Sequence, residues 1–421
     1  MHTNESQQTP PLKACEVCFR NELTNVINLG NHPLCDDLLP IGSEDVCVEH
    51  PLIISFCPHC RTAHQTHQIA KQLLFPRSYH YRARHTADVL NGMKLFVEES
   101  EKQYGELDNA FVLDIGCNDG SLLSIYKRRG AKTVGVEPTD AASDAITGGH
   151  IVYQDYFTPA LAENIVAVHG HPDIITFTNV FAHIEDLPSL LKSVQKLMSR
   201  ATLLIIENHY LGSVLDRHQF DTFYHEHPRT YSLTSFTYIA KSLNAEIVSV
   251  GFPSRYGGNI RVMLKLASDA RLREAASNVI ALENNFQIRL AALAETIPIW
   301  VSVKRARLQR LAKIHGPLIA KAFPGRAAIL VKLLQLDENI ISAAYEKPGS
   351  MKIGHYIPGT RIPIKSDADL MSHQKNESPI INFAWHISQE VHTYLRQMGC
   401  NAEIIDIFSI DEFNNANIAL T

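Results

Sequence analysis

The stretch Phe111-Val-Leu-Asp-Ile-Gly-Cys-Asn-Asp-Gly-Ser-Leu-Leu123 decides the fold of this chain. Three apolar residues run into Asp114, a short turn carries Gly116 to Gly120, and an amphipathic run follows (Leu122, Leu123, Ile125, Tyr126) until Gly130 stops it. That pattern predicts a strand, a tight turn and a helix. Glycines at such a turn let the backbone approach a ligand, and the helix start beyond them offers free N–H groups. The next apolar run, Thr133-Val-Gly-Val-Glu-Pro138, ends in an acid 23 residues after Asp114. In dinucleotide-type folds an acid about 20 residues on, at the end of the second strand, holds ribose hydroxyls, and Glu137 fits that role.

A Gly-rich turn is by itself also what a plain structural turn uses. Here the glycines read Gly-x-x-x-Gly, not Gly-x-Gly-x-x-Gly, which argues against a nicotinamide fingerprint and for a ligand without a pyrophosphate. The stretch resembles the first motif of class I S-adenosylmethionine-dependent methyltransferases, and the acid on the second strand agrees with it.

Working outward, residues 71 to about 267 alternate strand and helix as a parallel sheet does. A helix built on Val89, Leu90, Met93, Phe96 and Val97 leads in. Beyond Glu137 come Ile151–Asp155, Asp173–Val180 and Ala201–Glu207, each predicted as a buried strand. Ligands of open α/β sheets sit outside the carboxyl ends of the strands, so Asp114, Glu137, Asp155, Asn179 and Glu207 are expected around one crevice. From about 268 to 314 the sequence reads as helix, with a break near Pro298, linking to a second, smaller nucleotide-fold domain over 315–421.

Residues 1 to about 70 form the first unit. Cys15-Glu-Val-Cys18 and Cys57-Pro-His-Cys60 are two C-x2-C knuckles with 38 residues between them, the spacing of a tetrahedral thiolate zinc site. Four cysteine ligands leave no open position for catalysis, so the zinc is predicted to be structural. Cys35, Cys47, His59, His64 and His67 stand by as spare ligands. The strands between the knuckles carry too little apolar mass to fold unaided, and metal would supply part of the folding energy.

A chain of 421 residues at 45% hydrophobic content has room for two or three domains, each with its own core. Lys plus Arg at 39 against Asp plus Glu at 44 gives a formal charge of −5, so no overall basic field favours nucleic acid. The N-terminal residues lack the pattern of a signal peptide, and no run of about 18 apolar residues marks a membrane span. The expectation is a cytoplasmic protein, a monomer or weak dimer, with neither membrane nor nucleic acid as a partner.

The other dense stretch is Phe220-Asp-Thr-Phe-Tyr-His-Glu-His-Pro-Arg-Thr-Tyr231. His225 and His227, two apart on an extended segment, could share a face and bind a metal. Alternatively one imidazole could be a general base, oriented by Glu226. A polar loop of hydrogen-bonded side chains is the third reading.

In order along the chain, the two knuckles, Val112–Leu123, Asn179-Val-Phe-Ala-His-Ile184, Phe220–His227, Tyr256-Gly-Gly-Asn-Ile-Arg-Val262 and Gly354-His-Tyr-Ile-Pro-Gly-Thr-Arg-Ile-Pro-Ile364 resemble the three-domain sugar C-methyltransferases. The resemblance implies an N-terminal zinc-binding domain over 1–70, a class I methyltransferase Rossmann-like α/β domain over 71–267, and a helical linker with a C-terminal Rossmann-like domain over 268–421. It implies S-adenosylmethionine and structural zinc as cofactors and a nucleotide-linked 4-keto-deoxysugar as substrate. Carried over by motif, His227 is the base, with Tyr224, His225, Glu226 and His183 in the same catalytic set. Cofactor-binding positions are Asp114, Gly116, Cys117, Asn118, Gly120, Glu137, Pro138, Asp155, Tyr156, Phe157 and Asn179. Tyr79, Tyr81, Tyr256, Asn259 and Arg261 fall to the substrate, and Cys15, Cys18, Cys57 and Cys60 to the metal. The chain departs from the family where Tyr256-Gly-Gly-Asn259 replaces the usual His-Gly-Gly-Ser, and where His315-Gly-Pro317 and Pro324-Gly-Arg326 replace the Gly-rich opening of the third domain.

A 4-keto sugar has an acidified hydrogen on the neighbouring carbon, which a base of pKa near 7 can remove when donors stabilise the enolate oxygen. Neither that step nor methyl transfer needs a catalytic metal. Two other readings are methyl transfer to oxygen or to a carbon acid that is not a sugar, and a zinc module for nucleic acid or protein on an idle scaffold.

Overall fold

The computed structural model describes residues 10–79, 81–85, 87–267, 274–370 and 378–418. Its strands, in chain order, begin with β1 (Thr24–Pro33), β2 (Glu49–Phe56) and β3 (Ala63–Gln65). The middle of the chain supplies β4 (Phe111–Ile115), β5 (Lys132–Val136), β6 (Ile151–Tyr153), β7 (Ile174–Thr178), β8 (Leu203–His209), β9 (Arg229–Thr230), β10 (Ala245–Gly251) and β11 (Asn259–Leu266). The last region gives β12 (Leu318–Lys321), β13 (Ile341–Glu346), β14 (Ile364–Ser366), β15 (Ile380–Asn382) and β16 (Ile404–Asp406).

They form three sheets. The middle sheet runs β10-β11-β8-β7-β4-β5-β6. Its β6-β5-β4-β7-β8 portion is parallel, and β11 and β10 close one side as an antiparallel pair. The order reverses between β4 and β7, so a crevice opens beyond their carboxyl ends. Phe111 to Ile115 are all buried, as a central parallel strand covered on both faces requires. The Ile151 strand is shorter than expected and half exposed, because it is the edge of the sheet. The third sheet, β14-β13-β12-β15-β16, is parallel throughout.

The first sheet is β1-β2-β3-β9, and its last strand comes from the middle of the chain. Ala63 pairs with Thr230 and His64 with Arg229. A cut at residue 70 therefore divides the sequence but not this sheet.

The predicted break at Pro298 does not occur: one helix runs Phe286–His315 with Pro298 inside it. A proline in a helix interior costs about 3 kcal/mol. Burial of Leu290, Leu293, Ile297, Trp300 and Leu308 along the helix offsets that cost. The same apolar face makes this helix long and apolar enough for a membrane span by composition, yet here it packs on protein. Trp300 packs on Phe220 of the middle region and on Phe408 and Phe413 of the last, with ring centroids 5.3–6.3 Å apart.

Candidate active site

Gly116 and the residues after it leave β4 in a cradle that a side chain would fill. Gly116 sits at φ +72°, and a Cβ there would meet Val180 at 2.5 Å. Asn118 follows at φ +49°. The N–H of Asn118 donates to Glu137 Oε2 at 3.0 Å, and the Thr139 hydroxyl and N–H hold Glu137 Oε1 at 2.6 and 2.9 Å. The acid on the second strand is thus fixed beside the glycine turn, with lone pairs left over for a ribose. Asp114 is buried below, accepting from the Thr176 hydroxyl at 2.6 Å. Burial pushes its carboxyl up to about 7, despite that hydrogen bond.

Over this cradle lies the segment Tyr81–Arg84, pinned from below. Asn118 Nδ2 donates to the Tyr81 carbonyl at 3.1 Å and its Oδ1 accepts the Ala83 N–H at 3.0 Å. Asp119 Oδ2 accepts the Arg84 N–H at 2.9 Å, and Asp144 takes Arg82 Nε at 2.8 Å. Asn118 therefore acts through both its backbone and its side chain.

A cavity of about 640 Å³ joins the cradle to the other two regions. Asp114, Gly116, Cys117, Asn118, Glu137, Pro138, Tyr156, Phe157 and Asn179 line one part. Tyr79, Tyr81, His183, Tyr224, Glu226 and His227 line the next, and Lys321, Arg326, Lys352 and His386 of the last region close it. Asp36 reaches it from the first region.

Six expected site residues are placed otherwise. Asp155 does not line the cavity; its carboxylate caps the Tyr156 N–H at 2.7 Å on the exposed edge of the sheet. Gly120, at φ +74°, starts the helix Ser121–Arg128 and packs so closely on Ala145 that a Cβ would meet it at 2.9 Å. Glu207 is buried under two guanidiniums, those of Arg255 and Arg261. Arg261 also pairs with Glu99 and lies over the Phe96 ring, away from the cavity lining. Asn259 donates to Asn179 Oδ1 at 3.1 Å and Glu207 Oε1 at 3.0 Å, behind the cavity wall. His225 points away from the cavity towards the first sheet, its ring centroid 5.9 Å from that of His50. The Tyr256 side chain lies outside the described residues. His225 and His227 thus face different environments, which removes the reading that they share a metal.

His227 sits in a ring of aromatics: Tyr224, His183 and His209 lie 4.2, 4.8 and 5.1 Å away between centroids. Its Nδ1 is 2.9 Å from the Thr222 carbonyl oxygen. A carbonyl only accepts, so Nδ1 carries the proton and Nε2 keeps the lone pair. His183 Nδ1 meets the Glu226 carbonyl at 2.6 Å in the same way. Burial, then the neighbouring His183 and His209, hold His227 well below the usual histidine range, and burial takes His183 to about 4. Both rings are neutral at pH 7. Glu226 shows the opposite case: burial, then Asp36, push its carboxyl up to about 8, while the Tyr79 hydroxyl donates to it at 3.1 Å.

The four knuckle cysteines converge, with their Sγ atoms all within 4.8 Å of one another. The Cys15–Cys60 and Cys18–Cys57 separations are 3.3 and 3.5 Å. Zinc at about 2.3 Å from each of four thiolates places them about 3.8 Å apart, so the set fits. His64 is a neighbour and not a ligand, its Nε2 3.3 Å from Cys15 Sγ and its other side towards Glu16. Glu16, inside the first knuckle, pairs with buried Arg229, which also donates to the Glu185 carbonyl at 3.0 Å. The metal site therefore braces the chain two residues beyond His227.

Three family models match consecutive parts of the chain. A zinc binding domain model covers residues 15–75, a methyltransferase domain model 89–250, and a C-methyltransferase C-terminal domain model 254–403. In this order they give the chain a zinc-binding, a methyltransferase and a C-methyltransferase C-terminal domain. It is 27% identical to the C-methyltransferase NovU of Streptomyces niveus over 390 residues, 90% of this chain and 91% of NovU. Among solved structures, magnesium protoporphyrin IX methyltransferase (ChlM) of Synechocystis PCC 6803 with bound SAH matches at TM-score 0.34 and 16% identity, covering 43% of this chain and 84% of that one. PH0226 of Pyrococcus horikoshii OT3 matches at TM-score 0.35 and 14% identity, covering 47% and 98%. As a C-methyltransferase the chain is an S-adenosylmethionine-dependent enzyme with a zinc-binding domain.

Reading the sequence did not single out Arg326, Lys352, Asp36, His209 or Arg255 as cavity residues. The one available signal was Pro324-Gly-Arg326, a turn at the carboxyl end of β12, where the fold places ligands.

Proposed function

We propose that this C-methyltransferase places its methyl group on the carbon next to the ketone of a nucleotide-linked 4-keto-deoxysugar, with His227 as the general base. One observation carries the proposal: the Thr222 carbonyl holds the proton on Nδ1 of a neutral imidazole, leaving the Nε2 lone pair free on a ring that lines the cavity. Glu137, Asn118 and the Gly116 turn would hold S-adenosylmethionine, which would supply an electrophilic sulfonium methyl. His227 Nε2 takes the proton from the acidified carbon, and the electron pair moves towards the ketone oxygen. Glu226, protonated at neutral pH and accepting from the Tyr79 hydroxyl, and the Tyr224 hydroxyl are the donors on hand for that oxygen. Methyl transfer to that carbon would break the sulfur–methyl bond and release S-adenosylhomocysteine, and His227 would then give its proton to solvent. Tyr81 completes the sugar side of the pocket. The first, middle and last regions act as zinc-binding, methyltransferase and C-terminal Rossmann-like domains bounded near residues 70 and 267, in a cytoplasmic monomer or weak dimer.

The test is mass spectrometry after incubation with S-adenosylmethionine and a panel of thymidine- and guanosine-diphosphate 4-keto-deoxysugars. One added methyl on the sugar, and deuterium exchange at the carbon next to the ketone in keto-sugar left unmethylated, are the expected results. No methylation of any keto-sugar despite tight cofactor binding would rule the acceptor out.

A further inference from the structure

Asp221 is a buried carboxylate at the centre of the turn Phe220–Thr222, one residue before the carbonyl that holds His227. A buried charge persists only when it is paired and hydrogen-bonded. Among the described residues, the three side-chain hydrogen bonds donated to Asp221 all come from the far end of the chain. Arg326 gives two, Nε to Oδ2 at 2.9 Å and Nη2 to Oδ1 at 2.6 Å, and Trp385 Nε1 gives the third to Oδ2 at 2.8 Å. The Trp385 ring also lies against the guanidinium, 5.0 Å from ring centroid to Arg326 Cζ.

Arg326 Nη2 is shared with Gln219 Oε1 at 3.2 Å, and Gln219 Nε2 is tied to the Gly257 carbonyl at 2.8 Å. The Thr222 hydroxyl returns to the Gln219 carbonyl at 2.7 Å. The fork of Arg326 therefore grips Gln219 and Asp221, the Thr222 hydroxyl and N–H close the turn back onto Gln219, and the Thr222 carbonyl emerges from that turn towards the imidazole. Lysine could supply the charge but not the two parallel bonds.

We propose that Arg326 is a positioning residue for the base: through Asp221 it fixes the Thr222 carbonyl, and with it the tautomer of His227. The proposal rests on the reading of His227 as the base. It makes docking of the C-terminal region a condition for a competent imidazole, since without Arg326 the Asp221 carboxylate has no counter-charge and the turn loses its ionic tie to that region.

The test reads the tautomer directly, by 15N NMR of histidine-labelled full-length protein at pH 7.5, with His227→Ala to assign the signals. The wild type is expected to show a protonated-type Nδ1 and an unprotonated-type Nε2 for His227. In Arg326→Gln and in Asp221→Asn both signals move to an exchange average of the two tautomers. His183, held by the Glu226 carbonyl and not by the turn, keeps its pattern. Arg326→Lys gives an intermediate position. Should Arg326→Gln fail to fold, Asp221→Asn and Arg326→Lys decide between them. An unchanged His227 pattern in the folded variants, or an equal disturbance of His183, overturns the proposal. Because no acceptor enters this measurement, a failure to methylate any keto-sugar is read separately from it.

Discussion

His227 Nδ1 lies 2.9 Å from the carbonyl oxygen of Thr222, five residues earlier in the same loop. The contact turns a histidine of undetermined tautomer into a base with a defined lone pair. Replacing His227 with Ala removes that base and is expected to lower methyl transfer by about 10²- to 10⁴-fold, the usual contribution of a positioned general base. Calorimetry with S-adenosylmethionine is expected to give an unchanged affinity, because the Gly116 turn and Glu137 are untouched. A comparable loss of cofactor affinity would instead place His227 in the cofactor site.

Gly116→Ala tests that cofactor site. The added Cβ meets Val180 at 2.5 Å on a backbone held at φ +72°. The left-handed conformation alone costs about 1–2 kcal/mol, and the clash adds to it. Affinity for S-adenosylmethionine should fall at least tenfold while far-ultraviolet circular dichroism stays native. Wild-type affinity would mean that the turn does not touch the ligand.

Glu207 lies between Arg255 and Arg261, and its Oε1 also accepts Asn259 Nδ2 at 3.0 Å. Glu207→Gln removes the carboxylate that two buried guanidiniums share. Breaking a buried pair costs about 3–5 kcal/mol. Urea unfolding should show a loss of that order, whereas Asp155→Asn on the exposed edge should change stability by about 0.5 kcal/mol or less.

The pH dependence of the free protein carries a sign that can be checked at Glu226. Its folded pKa of about 8 lies above the usual 4.5, so the folded state holds a proton that the unfolded state gives up. Stability is therefore lost as pH rises from 4.5 towards 8. Glu226→Gln keeps an acceptor for the Tyr79 hydroxyl and removes the titration. The thermal midpoint of this variant should exceed that of wild type at pH 8 and approach it at pH 4.5. An equal difference at both pH values would contradict the burial argument.

Removing zinc should reach the base. Cys57→Ser, or a strong chelator, is expected to abolish zinc in elemental analysis and to lower the thermal midpoint. Methyl transfer should fall as well, because the Glu16–Arg229 pair and the β3–β9 pairing both stand on the knuckle. Full activity in zinc-free protein would show that the metal supports only its own turns.

The sequence by itself determined the parts whose physics is local. Two C-x2-C knuckles state four thiolates for one metal, the period of Phe111–Leu123 states a strand, a glycine turn and a helix, and an acid 23 residues after Asp114 lands beside that turn. Each depends on spacing along the backbone, which a linear reading preserves. The motif order also placed Tyr224, Glu226 and His227 in one pocket with His183, as the cavity has them. Tertiary structure alone decided which of two neighbouring histidines faces that pocket, since His225 and His227 differ only in what packs against them. It also decided that Asn259 and Arg261 brace Glu207, that β9 completes the zinc-binding sheet, and that the helix runs through Pro298. The donors that neutralise Asp221 come from Arg326, 105 residues away, and from Trp385, 164 residues away. Pairings at that separation are set by how the domains dock. A buried charge selects its partner in space, and no spacing along the chain records the choice.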